Sequence, residues 1–308
     1  MTARTAEPTF TLTTGPVNCY PEVLNALGRP VLYDYDPAFL ETYERVGLKA
    51  QAVMGTAGVP VILHGEPVLA LEAVAASVVA PGDVVLNLVS GVYGAGYGEW
   101  LKPHAGEMIE LRVPFDDVID PAAVAAKLAE RPDIAVVALC HHDTPSGTIN
   151  PVREIGEIVA RTDAVFVVDA VSSFGGMDVM PEDVRADVFV TGPNKCLGCP
   201  PGLSLVAISE AGWAKMKANP KAPRASILSV LDWEHAWRRD TGFPFTPSVA
   251  EINGLEAALD RYLDEGREAV WARHAVTARA CRAGVRAMGL ELWAAREAIA
   301  SPTATAVR

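Results

Sequence analysis

Residues 165–202 read VFVVDAVSSFGG (165–176), MDVMPEDVRADVFV (177–190) and TGPNKCLGCPPG (191–202), and their order decides how the rest of the chain is read. The run Val165–Val168 is apolar and β-branched and stops at Asp169, the pattern of a buried parallel strand with one carboxylate at its C-terminal end. Open α/β sheets bind ligands at that edge. A second short run, Val188-Phe189-Val190, ends in Thr191-Gly192-Pro193-Asn194-Lys195, so a lysine leaves the same edge on a turn in which Gly and Pro prevent regular structure. An acid at one strand end and an amine at another on the same edge have a joint chemistry. A desolvated lysine loses its proton more readily and can attack an aldehyde, and a carboxylate facing a pyridine nitrogen keeps that nitrogen protonated so the ring accepts electrons. Asp169 and Lys195 suit these two roles.

The surrounding words, DAVSSFGG (169–176) and GPNKCLGCPPG (192–202), resemble the class V aminotransferases of fold type I, which include the alanine-glyoxylate and serine-glyoxylate enzymes. The resemblance runs from Thr13 to about Gly254, with several separated motifs in the family's order. It implies an α/β fold: a mostly parallel seven-stranded sheet between helices, followed by an incomplete small C-terminal α/β domain. Residues 1–35 are then an N-terminal arm, 36–265 the large pyridoxal-binding domain, and 266–308 a linker helix and the start of the small domain. Asp169 would meet the pyridine nitrogen and Lys195 would carry the internal aldimine. Tyr33 would fall near the ring, Tyr93 would stack on it, and Thr144 and Ser146 would border its ring oxygen. Phe245 and Thr246 would approach a neighbouring subunit's site, which implies a homodimer or homotetramer.

One position departs from the family. Val61-Ile62-Leu63-His64 reads as a strand and Gly65-Glu66-Pro67 opens a helix to about Val79, whose N-terminus is a ready phosphate site. Relatives that bind pyridoxal phosphate carry a small pair such as Thr-Gly there. This chain has Glu66, a fixed negative charge, and Pro67, which has no N–H to offer. A carboxylate repels a phosphate dianion but accepts a hydrogen bond from a hydroxymethyl group. The expected ligand is therefore unphosphorylated pyridoxal or pyridoxamine, bound to Lys195 as the substrate itself, and the resemblance implies pyruvate as the acceptor of the amine, giving alanine. Pyridoxal 5'-phosphate with alanine, serine or glyoxylate, or an inactive B6-binding relative, are the other readings. In relatives the small domain supplies an arginine for the substrate carboxylate, and this chain ends at Arg308 before that point.

Composition narrows the classes. A net charge of -12 argues against nucleic acid or an anionic membrane as partner. No apolar run approaches the roughly 18 residues of a membrane span, and Met1–Pro8 is polar without a signal core, so a cytoplasmic protein is expected. The five cysteines are scattered, and the Cys196/Cys199 pair lacks two further ligands at zinc spacing, so no metal is expected. Gly91, Gly94, Gly96 and Gly98 do not have dinucleotide-loop spacing. Further strands are expected at Val84–Val89, Ile134–Cys140 and Leu203–Ile208, the last closing the sheet, with another beginning at Thr303–Val307. Helices are expected over about 37–54, 152–161, 226–238, 249–263 and 269–288. His141 and His142 read as hydrogen-bonded structural residues.

Overall fold

A computed structural model describes residues 11–308; the Met1–Pro8 segment lies outside them. In chain order the elements begin with α1 (Pro21–Leu27), α2 (Pro37–Met54), β1 (Val61–Leu63), α3 (Pro67–Val78), β2 (Val84–Val89), α4 (Val92–Leu101), β3 (Glu107–Arg112) and α5 (Pro121–Glu130). They continue with β4 (Ile134–Cys140), β5 (His142–Asp143), β6 (Thr148–Ile149), α6 (Val152–Val159), β7 (Val165–Asp169), β8 (Val188–Thr191), β9 (Ser204–Ile208), α7 (Glu210–Ala218), α8 (Val249–Glu265) and α9 (Arg267–Ala287).

Seven strands form one sheet in the order β1-β9-β8-β7-β4-β2-β3. Only β9 runs against the others, pairing antiparallel with both β8 and β1. The apolar runs of β4, β7 and β8 are buried along nearly their whole length, as expected of strands covered by helices on both faces. Their register pairs Cys140 with Asp169 and Asp169 with Val190, so the strand ends that carry chemistry stop level with one another.

Helix starts follow from local chemistry. Asp36 and Asp120 accept from the backbone N–H groups of Ala38 and Ala122 at 2.8 and 2.9 Å, and a proline occupies the first turn after each. At α3 the N-cap is Glu66, whose side chain makes no capping bond, followed by Pro67.

Three expectations need correction, and one strand was not foreseen. The strand expected at Leu203–Ile208 forms as β9 (Ser204–Ile208) but lies within the sheet, and β1 takes that edge. The opposite edge strand, β3, was not foreseen: its sequence, EMIELR, mixes charged residues with Met108, Ile109 and Leu111, and Glu107, Glu110 and Arg112 are exposed. Residues 226–238 contain only a 3-10 turn, Leu231–Trp233, not a helix. There Ser226 and Ser229 accept from the N–H groups of Leu228 and Asp232, and Asp232 from Ala225, local bonds that compete with helical ones. Thr303–Val307 forms no strand; the segment after α9 pairs only through the isolated bridges Thr148–Ala300 and Leu292–Val307. No helix of the described residues is long and apolar enough to cross a membrane.

Candidate active site

At the C-terminal edge of β7 and β8 lies a cavity of about 260 Å³, lined by Thr14, Gly15, Pro16, Glu66, Pro67, Tyr93, Asp169, Ser172, Asn194 and Lys195 among others. Four sequence-predicted residues, Glu66, Tyr93, Asp169 and Lys195, meet there. Lys195 is half-buried, and its Nζ donates to Ser172 Oγ at 2.6 Å and to Thr144 Oγ1 at 3.3 Å. Those two hydroxyls also bond to each other. The loop from the N-terminal side passes close to this lysine: Gly15 has φ 130°, and a Cβ on it would stand 3.2 Å from Lys195 Cε and Cγ. The backbone conformation favours glycine there, and a side chain would crowd the lysine.

Asp169 is 7% exposed. Its Oδ1 accepts from the N–H of Val171 at 2.9 Å. Burial raises its pKa above the ordinary aspartate value, against the opposing pull of the Val171 N–H, the Lys195 charge and the Cys140 thiol. A carboxylate of raised basicity is suited to sharing a proton with a ring nitrogen. Tyr93 sits in the first turn of α4, its ring centroid 5.6 Å from Lys195 Nζ. Pairing of the ring with a cation at that range is favourable.

A second hollow, of about 90 Å³, lies on the other side of Lys195, lined by Thr13, Val17, His142, Thr144, His274 and Thr303 among others. Thr303 and His274 bring the segment around α9 to the site, a contribution that reading strands and loops did not anticipate. Ser172 and Asn194 were also missed as site residues, and the Thr13–Pro16 loop reaches the cavity as part of the N-terminal arm. Ser172 could have been noticed as a hydroxyl three residues beyond the strand end at Asp169.

Three predicted residues lie elsewhere. Tyr33 is 70% exposed and packs on Tyr35 with centroids 5.6 Å apart. Phe245 packs on Trp233 and His64, at 5.0 and 6.1 Å between ring centroids. Ser146 is buried in the β5–β6 turn and does not line either hollow. His141 Nδ1 bonds Ser173 Oγ and His142 Nδ1 bonds the Ser172 carbonyl, each at 2.9 Å. Burial pushes their pKa values down to about 3 and about 4. Cys196 is pushed up to about 11, also by burial, and the Cys199 thiol points to the Gly254 carbonyl, so both sulfurs are kept as thiols.

The family model for class V aminotransferases matches residues 73–307. The chain belongs to that family. Among curated relatives of this class V aminotransferase, the pyridoxamine–pyruvate transaminase of Mesorhizobium japonicum is 65% identical over 303 residues, covering 98% of this chain and 77% of the relative. The crystal structure of pyridoxamine-pyruvate aminotransferase from Mesorhizobium loti superposes with a TM-score of 0.97 at 65% identity, covering 98% of this chain and 77% of that one. Ureidoglycine-glyoxylate aminotransferase from Bacillus subtilis gives a TM-score of 0.89 at 27% identity, covering 99% and 79%. The seven-stranded fold expected from the sequence is thus the fold type I aminotransferase fold.

Class V aminotransferases depend on pyridoxal phosphate. The ring half of that group matches the residues present. Asp169 offers a buried carboxylate and Tyr93 a ring face, and Asn194, which lines the cavity, has a buried Oδ1 without a partner among the described residues. The phosphate half is not matched in the same way. Among the residues lining the cavity Lys195 is the one cation, and the α3 N-terminus is taken by Glu66 and Pro67.

Proposed function

We propose that this class V aminotransferase moves the amino group of free pyridoxamine to pyruvate, giving pyridoxal and L-alanine, a step of vitamin B6 breakdown. The observation that carries the reading is Glu66 in the wall of the cavity, at the head of a helix whose first position is proline. The 65% identity to an enzyme named for this reaction supports it. Bound in the cavity, the vitamer ring supplies the electron sink for the carbanion chemistry.

The chain's own residues then divide the work. Asp169 holds a proton at the pyridine nitrogen, Tyr93 covers one ring face, and Glu66 accepts from the hydroxymethyl group where relatives hold phosphate. Lys195 Nζ supplies the amine for the aldehyde carbon and, once released, the general base, a role worth roughly a hundredfold to ten-thousandfold in rate. Ser172 and Thr144 aim that nitrogen, and the small hollow beyond it, with Thr303 and His274 in its wall, suits an acceptor of few carbons. In this proposal the large domain spans residues 36–265, between an arm (1–35) and a linker helix leading to the small domain (266–308). Ser146 borders the ring oxygen only through its turn. Tyr33 and Phe245 act across a subunit boundary of a cytoplasmic homodimer or homotetramer.

The test is an absorbance titration of the purified protein with pyridoxal and, separately, with pyridoxal phosphate, repeated with Lys195→Ala. A Lys195-dependent visible band that saturates at lower pyridoxal than pyridoxal phosphate is expected, with pyridoxamine:pyruvate turnover abolished in the variant. Tighter pyridoxal phosphate binding would refute the vitamer as substrate, and turnover surviving in Lys195→Ala would refute the lysine's role.

A further inference from the structure

Helix α4 begins without a local cap. Its N-cap is Gly91, which has no side chain, so the first N–H groups of the helix have no partner from their own segment. The partner comes from β5, fifty residues along the chain. Asp143 Oδ2 accepts from the N–H of Tyr93 at 2.8 Å and from that of Gly94 at 3.3 Å. Asp143 is 0% exposed, and the N–H groups of Val92 and Ser146 also stabilise its charge against the cost of burial. A helix N-terminus favours a carboxylate both through its free N–H groups and through its dipole. Gly91 is what admits it: a Cβ there would lie 2.0 Å from Asp143 Cγ. The glycine-rich run that looked like a failed dinucleotide loop thus has a different use, part of which is to let this carboxylate in.

The Tyr93 side chain itself is 47% exposed, and no hydrogen bond of its hydroxyl fixes the ring among the described residues. Its place beside Lys195 is therefore inherited from the backbone of the first turn, and that backbone is tied to Asp143. We propose that Asp143 is a positioning residue for the transamination: by holding the first turn of α4 it holds the Tyr93 ring against the bound B6 ring. The inference rests on the substrate reading above and extends it to a residue that touches neither substrate.

The test uses pyridoxine, which carries an alcohol in place of the aldehyde and cannot bond to Lys195. Its affinity is measured by calorimetry for the wild type, Asp143→Ala, Asp143→Asn, Tyr93→Ala and the Asp143→Ala/Tyr93→Ala double variant, alongside steady-state kinetics. Loss of an aligned aromatic contact predicts about tenfold weaker pyridoxine binding in Asp143→Ala. It also predicts a raised KM for pyridoxamine with a smaller change in kcat, and an unchanged KM for pyruvate. Asp143→Asn keeps an oxygen for the Tyr93 N–H and is expected to restore most of the affinity. In the Tyr93→Ala background the Asp143 substitution should cost no further affinity, because both changes remove one interaction. Wild-type affinity in Asp143→Ala, or losses that add across the two sites, would overturn the proposal. If Asp143→Ala does not fold, Gly91→Ala displaces the same carboxyl, and the same Tyr93-dependent loss is required of it. Wild-type protein that ignores pyridoxine but binds pyridoxal phosphate refutes the substrate reading alone; the same cycle is then read with pyridoxal phosphate and must show the same dependence.

Discussion

Replacing Glu66 by Gln removes one negative charge from the cavity wall and keeps the side chain's size and one acceptor oxygen. The magnitude follows from Coulomb's law. One pair of unit charges about 4 Å apart costs about 1 kcal/mol in a water-like dielectric, the appropriate limit because Glu66 is exposed to solvent. A phosphate dianion doubles this to about 2 kcal/mol, or roughly 30-fold in affinity. Pyridoxal, which has no phosphate, loses only the difference between a charged and a neutral acceptor, about 1 kcal/mol or fivefold. Glu66→Gln should therefore bind pyridoxal phosphate about 30-fold more tightly than the wild type while pyridoxal weakens no more than about fivefold. The assay is the visible absorbance that appears when either aldehyde bonds to Lys195, titrated at low and at moderate salt. The pyridoxal phosphate gain should shrink with added salt, because exposed charges are screened. Affinity for pyridoxal phosphate within about threefold of wild type would refute Glu66 as the element that rejects phosphate.

Three further outcomes are expected. Asp169→Asn should abolish turnover and stabilise the ligand-free protein. Burial raises the folded pKa of this carboxyl, so the folded state disfavours its charge; the gain in unfolding temperature should be full near pH 7.5 and fade toward pH ~4, where the unfolded aspartate is protonated too. An Asn variant that is less stable at pH 7.5 contradicts this. Ser172→Ala removes the acceptor that Lys195 reaches at 2.6 Å and should lower kcat about fivefold to tenfold through misaimed nitrogen; unchanged kcat would show that Thr144 suffices. His64, His141 and His142 have pKa values pushed by burial down to about 4, about 3 and about 4. Since the unfolded chain binds these protons first, their contribution makes stability fall as pH drops from ~6.5 to ~4, measured by urea denaturation across that range and in variants with each histidine replaced.

The strands that carry the site were legible because a buried parallel strand is written as an unbroken β-branched run, and each such run here ends in the residue that matters: Asp169 after Val165–Val168, and the Lys195 turn after Val188–Val190. Glu66 and Pro67 were legible because a helix start has a local grammar, and a proline and a carboxylate violate what a phosphate needs there. Tertiary structure alone decided the rest. The edge strand β3 mixes charged residues among its apolar ones without a regular period, so only its pairing with β2 reveals it. Ser172 and Thr144 become the partners of Lys195 because β4 and β7 lie side by side in register, a fact of strand order that periodicity cannot supply. Nothing in the sequence singles out Asp143 until folding sets it against the bare end of α4, and Gly91 is one of four glycines without dinucleotide-loop spacing until that carboxylate fills the space a side chain would have taken. Local sequence determines what each segment can form and which groups it can present. Contacts between residues distant along the chain determine which of those groups meet, because they depend on the register and order of the sheet as a whole.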